Sequence, residues 1–194
     1  MDPTEFKALS TKFDVLTGEQ RRALEFSLIT GIDLAAAQEL ISTWSLPATF
    51  DKLWSNYPLN QPQPDEYPCR KNGKPAYDNQ CCIKFGVTLH NSGVSLSSYT
   101  GMFCWHGHGR VHTLRVEEMK LWLRSAAGLP EISNQRPQKT YKDYLNRRGV
   151  VAFLNFWGQG DQGDHIDLWN GSELAGGLTD YFERSQEIWF WPMS

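Results

Sequence analysis

YDNQCCIKFGVTLHNSG, residues 77–93, reads as a loop that turns into a helix with a cysteine in its first turn. Asn79 is placed to cap that helix, because its side-chain oxygen can accept from a free backbone N–H one turn on. Ile83, Val87 and then Leu89 or His90 follow at roughly i, i+4 and i+7, which lines up one apolar stripe. Gly93 supplies a stop, since only glycine takes the left-handed conformation without steric cost. The spacing predicts a helix over 79–92 with Cys81 at its second position. There the free N–H groups and the helix dipole stabilise a thiolate and lower its pKa. That environment suits a nucleophile. A plain buried thiol fits the same stretch, as most free cysteines are buried.

Working outward, the composition sets the class. A chain of 194 residues is expected to hold one domain, or one domain with an extension. Its 40% hydrophobic and 13% aromatic content is enough for a core. A net charge of −3 gives no electrostatic case for nucleic acid, and there is no basic tail or charge block. The opening MDPTEFKAL has neither a basic nor an apolar region, so no secretory signal is expected. No run of apolar residues is long enough to predict a membrane span. Four cysteines are too few for a disulfide scaffold at this length, though one disulfide stays open.

Residues 1–45 look like a separate helical extension. Thr17 precedes EQRRALEFSLITG, which Gly31 ends, and Asp33 can cap LAAAQELISTW. Two helices joined at Gly31-Ile32 suggest a hairpin. The main domain is expected over 46–194. Thr49 caps FDKLWSNY there, with Phe50, Leu53, Trp54 and Tyr57 on one face. From Pro58 to Pro68 the chain is irregular, and Cys69 belongs to the same loop region. After the cysteine helix, VSLSSYTGMFCWHGHGRVHTLR reads as a long loop or short strand pieces. Arg115 to Ala127 is an amphipathic helix through Met119, Trp122, Leu123 and Ala126. Thr140 caps a short helix, YKDYLNRR. GVVAFLNFW, residues 149–157, is apolar enough for a strand buried on both faces. HIDLW, residues 165–169, alternates, with His165, Asp167 and Trp169 on one side and Ile166 and Leu168 on the other. Asn170-Gly171 marks a turn. EIWFW, residues 187–191, is a last strand before Pro192. Helices followed by strands indicate an α+β fold, with a small antiparallel sheet packed on the cysteine helix.

A cysteine nucleophile needs a base within hydrogen-bond reach. His165 opens a strand in the half that should pack on the cysteine helix, and it is the best-placed candidate. A third group should hold its imidazole. Asp167 starts about 6 to 7 Å away along the same strand, which makes a direct bond awkward. Asp180 and Glu173 are the remaining acids. A second constellation, Cys104-Trp-His106-Gly-His108 with His112 four further on, has spacing that could bind zinc. The other half of a familiar zinc pattern is missing, so neither metal nor cofactor is expected, and the segment reads as a polar loop lining a groove.

NQCCIKFGVTLHNSG, RRGVVAFLNFW and GDHIDLWNG together resemble the family 4 amidase effectors of the bacterial type VI secretion system. These are small papain-like peptidoglycan amidases related to NlpC-type endopeptidases. The family pattern has Asn-x-Cys at a helix start, followed by Ile-Arg/Lys, and later His-Val/Ile-x-Leu-Trp-Asn-Gly. PATFDKLW is similar to the family's first helix, so the resemblance covers about residues 46–194. It implies Cys81 as nucleophile and His165 as base, with no role for Cys82. The family's aspartate, about eleven residues after the histidine, falls on Gly176 here. Asp180 is therefore expected to serve as the third catalytic residue through a longer local loop. Asp164 stands where glycine is familiar, next to His165. Residues 1–45 have no counterpart in the resemblance.

The resemblance further implies cleavage of the amide between γ-D-glutamate and meso-diaminopimelate in peptidoglycan stem peptides. It implies an antibacterial toxin carried by the secretion apparatus to the periplasm of a target bacterium, and a cognate immunity protein in the producer. Arg110, Lys84, Arg147 and Arg148 are candidates to meet substrate carboxylates. The His106–His112 loop and Trp157 are candidate groove walls. Two other readings compete: a thiol hydrolase or acyltransferase on another amide, and an inactive relative that binds a metal or partner.

Overall fold

The computed structural model describes residues 27–28, 30–36, 46–128, 130–134, 138–156 and 163–193. The chain divides into two compact units, Met1–Ser45 and Leu46–Ser194. In the first, the described residues form helical turns on either side of a left-handed Gly31 (φ 71°), and Asp33 Oδ1 accepts from the Ala35 N–H at 2.9 Å. The rest of the two helices expected between Thr17 and Trp44 lies outside the described residues.

The second unit begins with α1, Phe50–Ser55, where Thr49 Oγ1 accepts from the Lys52 N–H. Phe50, Leu53 and Tyr57 are buried beneath it. The connection that follows is less irregular than its composition suggests. After a 3-10 turn at Pro58–Asn60, β1 (Arg70–Lys71) and β2 (Lys74–Pro75) pair as a hairpin around Asn72-Gly73. Both turn residues are left-handed, at φ 53° and 77°, as the favoured Asn-Gly hairpin turn requires.

The cysteine helix, α2, spans Cys81–Asn91, so Cys81 is its first residue rather than its second. Asn79 Oδ1 accepts at 3.0 Å from the N–H of Cys81 itself, not from one a turn further on. α3, Val116–Ala126, buries Met119, Trp122 and Leu123. Four strands then form one antiparallel sheet: β3 (Glu131–Asn134), β4 (Arg148–Leu154), β5 (His165–Trp169) and β6 (Glu187–Met193), in the order β3-β6-β4-β5. β3 was not legible in the sequence, and β6 runs on through Pro192. That proline falls beyond the last residue paired with β3, near the end of the strand, where proline is tolerated.

β4 is buried on both faces. Val150, Ala152 and Leu154 join Ile166, Leu168, Trp189 and Trp191 in the main core beneath α1, α2 and α3. Val151 and Phe153 face the opposite way, with Trp169, Ile188, Phe190 and Phe182. Phe182 belongs to a short helix, α4 (Tyr181–Arg184). α2 packs across β5 through Cys82, Phe85 and Leu89, and each fully buried side chain of Phe or Leu size contributes roughly 1.5–3 kcal/mol. A different face of the helix, Ile83 and Val87, meets Cys69 and Cys104. Gly86 permits a close approach there: a Cβ on it would lie 2.3 Å from the Val111 carbonyl oxygen.

Candidate active site

Three side chains meet where α2 begins and β5 begins. Cys81 is fixed by its place at the helix start, and β5 is an edge strand of the sheet. The backbone N–H groups of Ile166 on that strand and of Cys82 donate to the Cys81 sulfur, and the Asp164 carbonyl oxygen lies 3.8 Å from it. Burial alone would push the thiol up. The hydrogen bond and charge of His165, with the two backbone donors, outweigh it, and the Cys81 pKa is lowered. The adjacent Cys82 has no such partner, and burial, then the Cys81 charge, drive its pKa up. Cys82 instead packs in the core with Thr113 Oγ1 3.4 Å from its sulfur.

His165 Nε2 lies 3.0 Å from Asp167 Oδ2 and donates to it, which leaves Nδ1 for the cysteine. Burial opposes the imidazolium. The hydrogen bonds to Asp167 and Cys81, with the charges of both, reverse that effect and raise His165 to about 9. Asp167 is fully buried and satisfied: the Leu168 N–H donates to Oδ1 at 2.8 Å and the Gly176 N–H to Oδ2 at 3.0 Å. The Tyr181 ring stands edge-on to the imidazole at 4.9 Å between centroids. The arrangement sets a thiol of lowered pKa beside an imidazole of raised pKa that a carboxylate orients, a constellation that suits nucleophilic acyl transfer.

A family model described as type VI secretion system (T6SS), amidase effector protein 4, or Tae4, matches residues 77–191. The chain belongs to the Tae4 family. The effector Tae4 from Salmonella typhimurium, solved in complex with the immunity protein Tai4 from Enterobacter cloacae, is similar with a TM-score of 0.57 and 18% identity, over 76% of this chain and 99% of that one. Tae4 from Enterobacter cloacae is similar with a TM-score of 0.57 and 16% identity, over 77% of this chain and 99% of that one. At these identities the likeness bears on the fold, a mixed α+β architecture with small antiparallel sheets. No curated protein matches this chain.

Against the Tae4 resemblance, the third residue departs from expectation. Asp180 does not reach His165; its carboxylate is half-exposed and accepts from Arg184 Nη1 at 3.1 Å. Glu173 is bound to Asn170 in the turn after β5. The carboxylate at the imidazole is that of Asp167. Residues two apart share a strand face, and the imidazole and carboxyl arms lean together across the gap between their backbones. Gly176, where the resemblance would put an aspartate, has no room for a side chain: a Cβ there would lie 2.7 Å from the Tyr57 hydroxyl. Its N–H holds Asp167 instead. Asp164 Oδ1 accepts from the Asn155 N–H at 2.9 Å.

The cations named for substrate carboxylates are engaged elsewhere in this Tae4-family chain. Arg147 pairs with Glu131, Arg148 with Asp51, and Arg110 Nη2 donates to the Tyr99 carbonyl, while Lys84 is buried in α2. Trp157 lies outside the described residues. The half-pattern Cys104, His108 and His112 is not alone either: Cys69, from the start of the β1–β2 hairpin, joins it, and the four ligand atoms lie within 4.8 Å of one another. His106 is not among them.

Proposed function

We propose that this Tae4-family chain is a cysteine-dependent peptidoglycan amidase that cleaves the γ-D-glutamyl–meso-diaminopimelate bond, with Cys81, His165 and Asp167 as its catalytic group. The observation that carries the reading is a helix-start cysteine with a lowered pKa, hydrogen-bonded to a histidine whose other nitrogen is held by a buried carboxylate. The Cys81 thiolate attacks the γ-glutamyl carbonyl. As the tetrahedral species collapses, the C–N bond breaks and the imidazolium of His165 gives its proton to the departing amine. The product is a thioester on Cys81. His165, now neutral, takes a proton from water, the hydroxide equivalent attacks the thioester, and the free acid leaves with the thiolate–imidazolium pair restored. Asp167 keeps Nδ1 aimed at sulfur throughout. In the resting state the Cys81 N–H is bound to Asn79, so stabilising the oxyanion with that amide requires the Asn79 side chain to yield.

Family membership supports delivery by type VI secretion as an antibacterial toxin, and we place its action in the periplasm of the target cell. Among the described residues no helix is long and apolar enough to cross a membrane. The solved Tae4 relatives include complexes with Tai4 immunity proteins, and we infer a cognate immunity protein for this chain. The test is digestion of purified Gram-negative peptidoglycan with wild-type and Cys81→Ala protein, read by mass spectrometry. Fragments ending in γ-D-glutamate are expected with wild type alone. The same fragments from the Cys81→Ala protein would sink the mechanism, and cleavage at another amide would move the substrate.

A further inference from the structure

We propose that Cys69, Cys104, His108 and His112 form a structural zinc site beside the catalytic helix. The chemistry of the set comes first: two thiols and two imidazoles are a donor group that selects tetrahedral zinc. His108 Nδ1 lies 3.4 Å from Cys69 Sγ and 3.3 Å from Cys104 Sγ. A tetrahedral ion with Zn–S of about 2.3 Å and Zn–N of about 2.0–2.1 Å sets its sulfur and nitrogen ligands about 3.6 Å apart. All four ligand atoms lie within 4.8 Å of one another, so closing on an ion needs only a small contraction.

A second, independent observation is the state of the polar atoms. His112 is only 8% exposed, and its Nδ1 is buried with no hydrogen-bond partner among the described residues. A buried, unsatisfied ring nitrogen normally costs about 1–3 kcal/mol, and a metal is the partner this neighbourhood can supply. Cys69 is fully buried and Cys104 nearly so, and both are free thiols.

The backbone is shaped to deliver these ligands. Cys69 immediately precedes the β1–β2 hairpin. Cys104 and His112 flank a second hairpin, in which the Cys104 N–H donates to the His112 carbonyl at 2.8 Å. His108 lies at its tip between Gly107 and Gly109, both left-handed at φ 82° and 68°. Two residues in that conformation around one histidine fold the tip back over the hairpin's base, and glycine takes it without strain. Binding a divalent ion releases the two thiol protons to solvent and uses the lone pairs of the two neutral imidazoles.

Cobalt(II) is the probe, titrated into reduced, metal-stripped full-length protein carrying Cys81→Ala, so that the reactive thiol is absent and all four ligands remain. Uptake is expected to saturate at one ion per chain, with thiolate-to-metal charge-transfer absorption and the intense visible bands of a tetrahedral ion, all lost on adding equimolar zinc. Adding Cys69→Ser or His112→Ala to that background is expected to weaken uptake by at least about tenfold. No saturable uptake at micromolar cobalt, a Cys69–Cys104 disulfide in freshly purified protein, or a spectrum unchanged by Cys69→Ser overturns the proposal. None of these readouts depends on amidase activity, so the zinc site and the catalytic reading fail or stand separately.

Discussion

Two cysteine–histidine clusters use different faces of α2, and they differ in what each sulfur is given. Cys81 has an imidazolium, two backbone N–H donors and a helix start around it, and its pKa falls. Cys69 has burial and then another thiol, Cys104, and its pKa rises to about 12. The residue types are the same; the neighbours decide. On our proposals the sulfur surrounded by donors serves as nucleophile, and the sulfur surrounded by other acceptors holds a cation.

The largest expected effect separates the two sulfurs directly. Cys81→Ala should lower amidase turnover by at least about 10⁴-fold while leaving the thermal transition in place. Cys69→Ser should retain most of the turnover of the folded protein but lower Tm by about 3 °C or more. Peptidoglycan digestion and a melting curve on both variants check this. Equal loss of turnover from both at unchanged Tm would erase the distinction.

Next comes the orienting carboxylate. Asp167→Asn should lower kcat by about 10²-fold or more, and Asp180→Asn should leave it nearly unchanged. The pH profile adds a sign. Wild-type kcat/KM should fall as pH rises through about 9, where the His165 imidazolium loses its proton. Asp167 raises that pKa, so its replacement should move the alkaline limb to lower pH. The acid limb should lie below the ordinary thiol range, because Cys81 is lowered. An alkaline limb unmoved in Asp167→Asn would assign it to another group.

What was legible in the sequence was local. Periodicity and caps located α2, α3, β4, β5 and β6, because each is set by residues within a few turns of one another. β3 escaped because it has four residues with an alternating, half-exposed pattern that its neighbours in sequence do not mark. Asp167 reads as too far from His165 when only backbone positions are compared, yet the two side chains meet at 3.0 Å. Cys69 escaped as a partner of Cys104 because their meeting depends on two separate hairpins. The Asn72-Gly73 turn was the one signal available for the first of them.

A smaller pair of effects comes from two glycines. A Cβ at position 177 would lie 2.8 Å from His165 Nε2 and 3.0 Å from Asp167 Oδ2. Gly177→Ala should therefore lower kcat by about tenfold, through displacement of the imidazole. Gly107 has open space around it but a φ of 82°. Gly107→Ala should cost about 1–2 kcal/mol of stability and leave kcat unmoved. Measuring kcat and Tm for both variants shows whether the two clusters respond independently.

The finest test concerns a residue that touches both regions. Gln80 precedes Cys81 and is buried. Its Oε1 accepts from the Cys69 N–H, and its Nε2 donates to the Cys69 carbonyl, each at 2.8 Å, and to the Tyr77 carbonyl at 3.0 Å. Gln80 thus ties the backbone of one cluster to the first turn of the helix that carries the other. Gln80→Ala would leave buried backbone groups unpaired, at about 1–3 kcal/mol. If the two clusters are mechanically joined, the variant should lose both cobalt affinity and kcat by a few-fold, and Gln80→Glu, which sets a carboxylate oxygen against the Cys69 and Tyr77 carbonyls, should lose at least as much of each. If only Tm falls, the clusters share a helix but not a function, and the zinc site serves the fold of the loop alone.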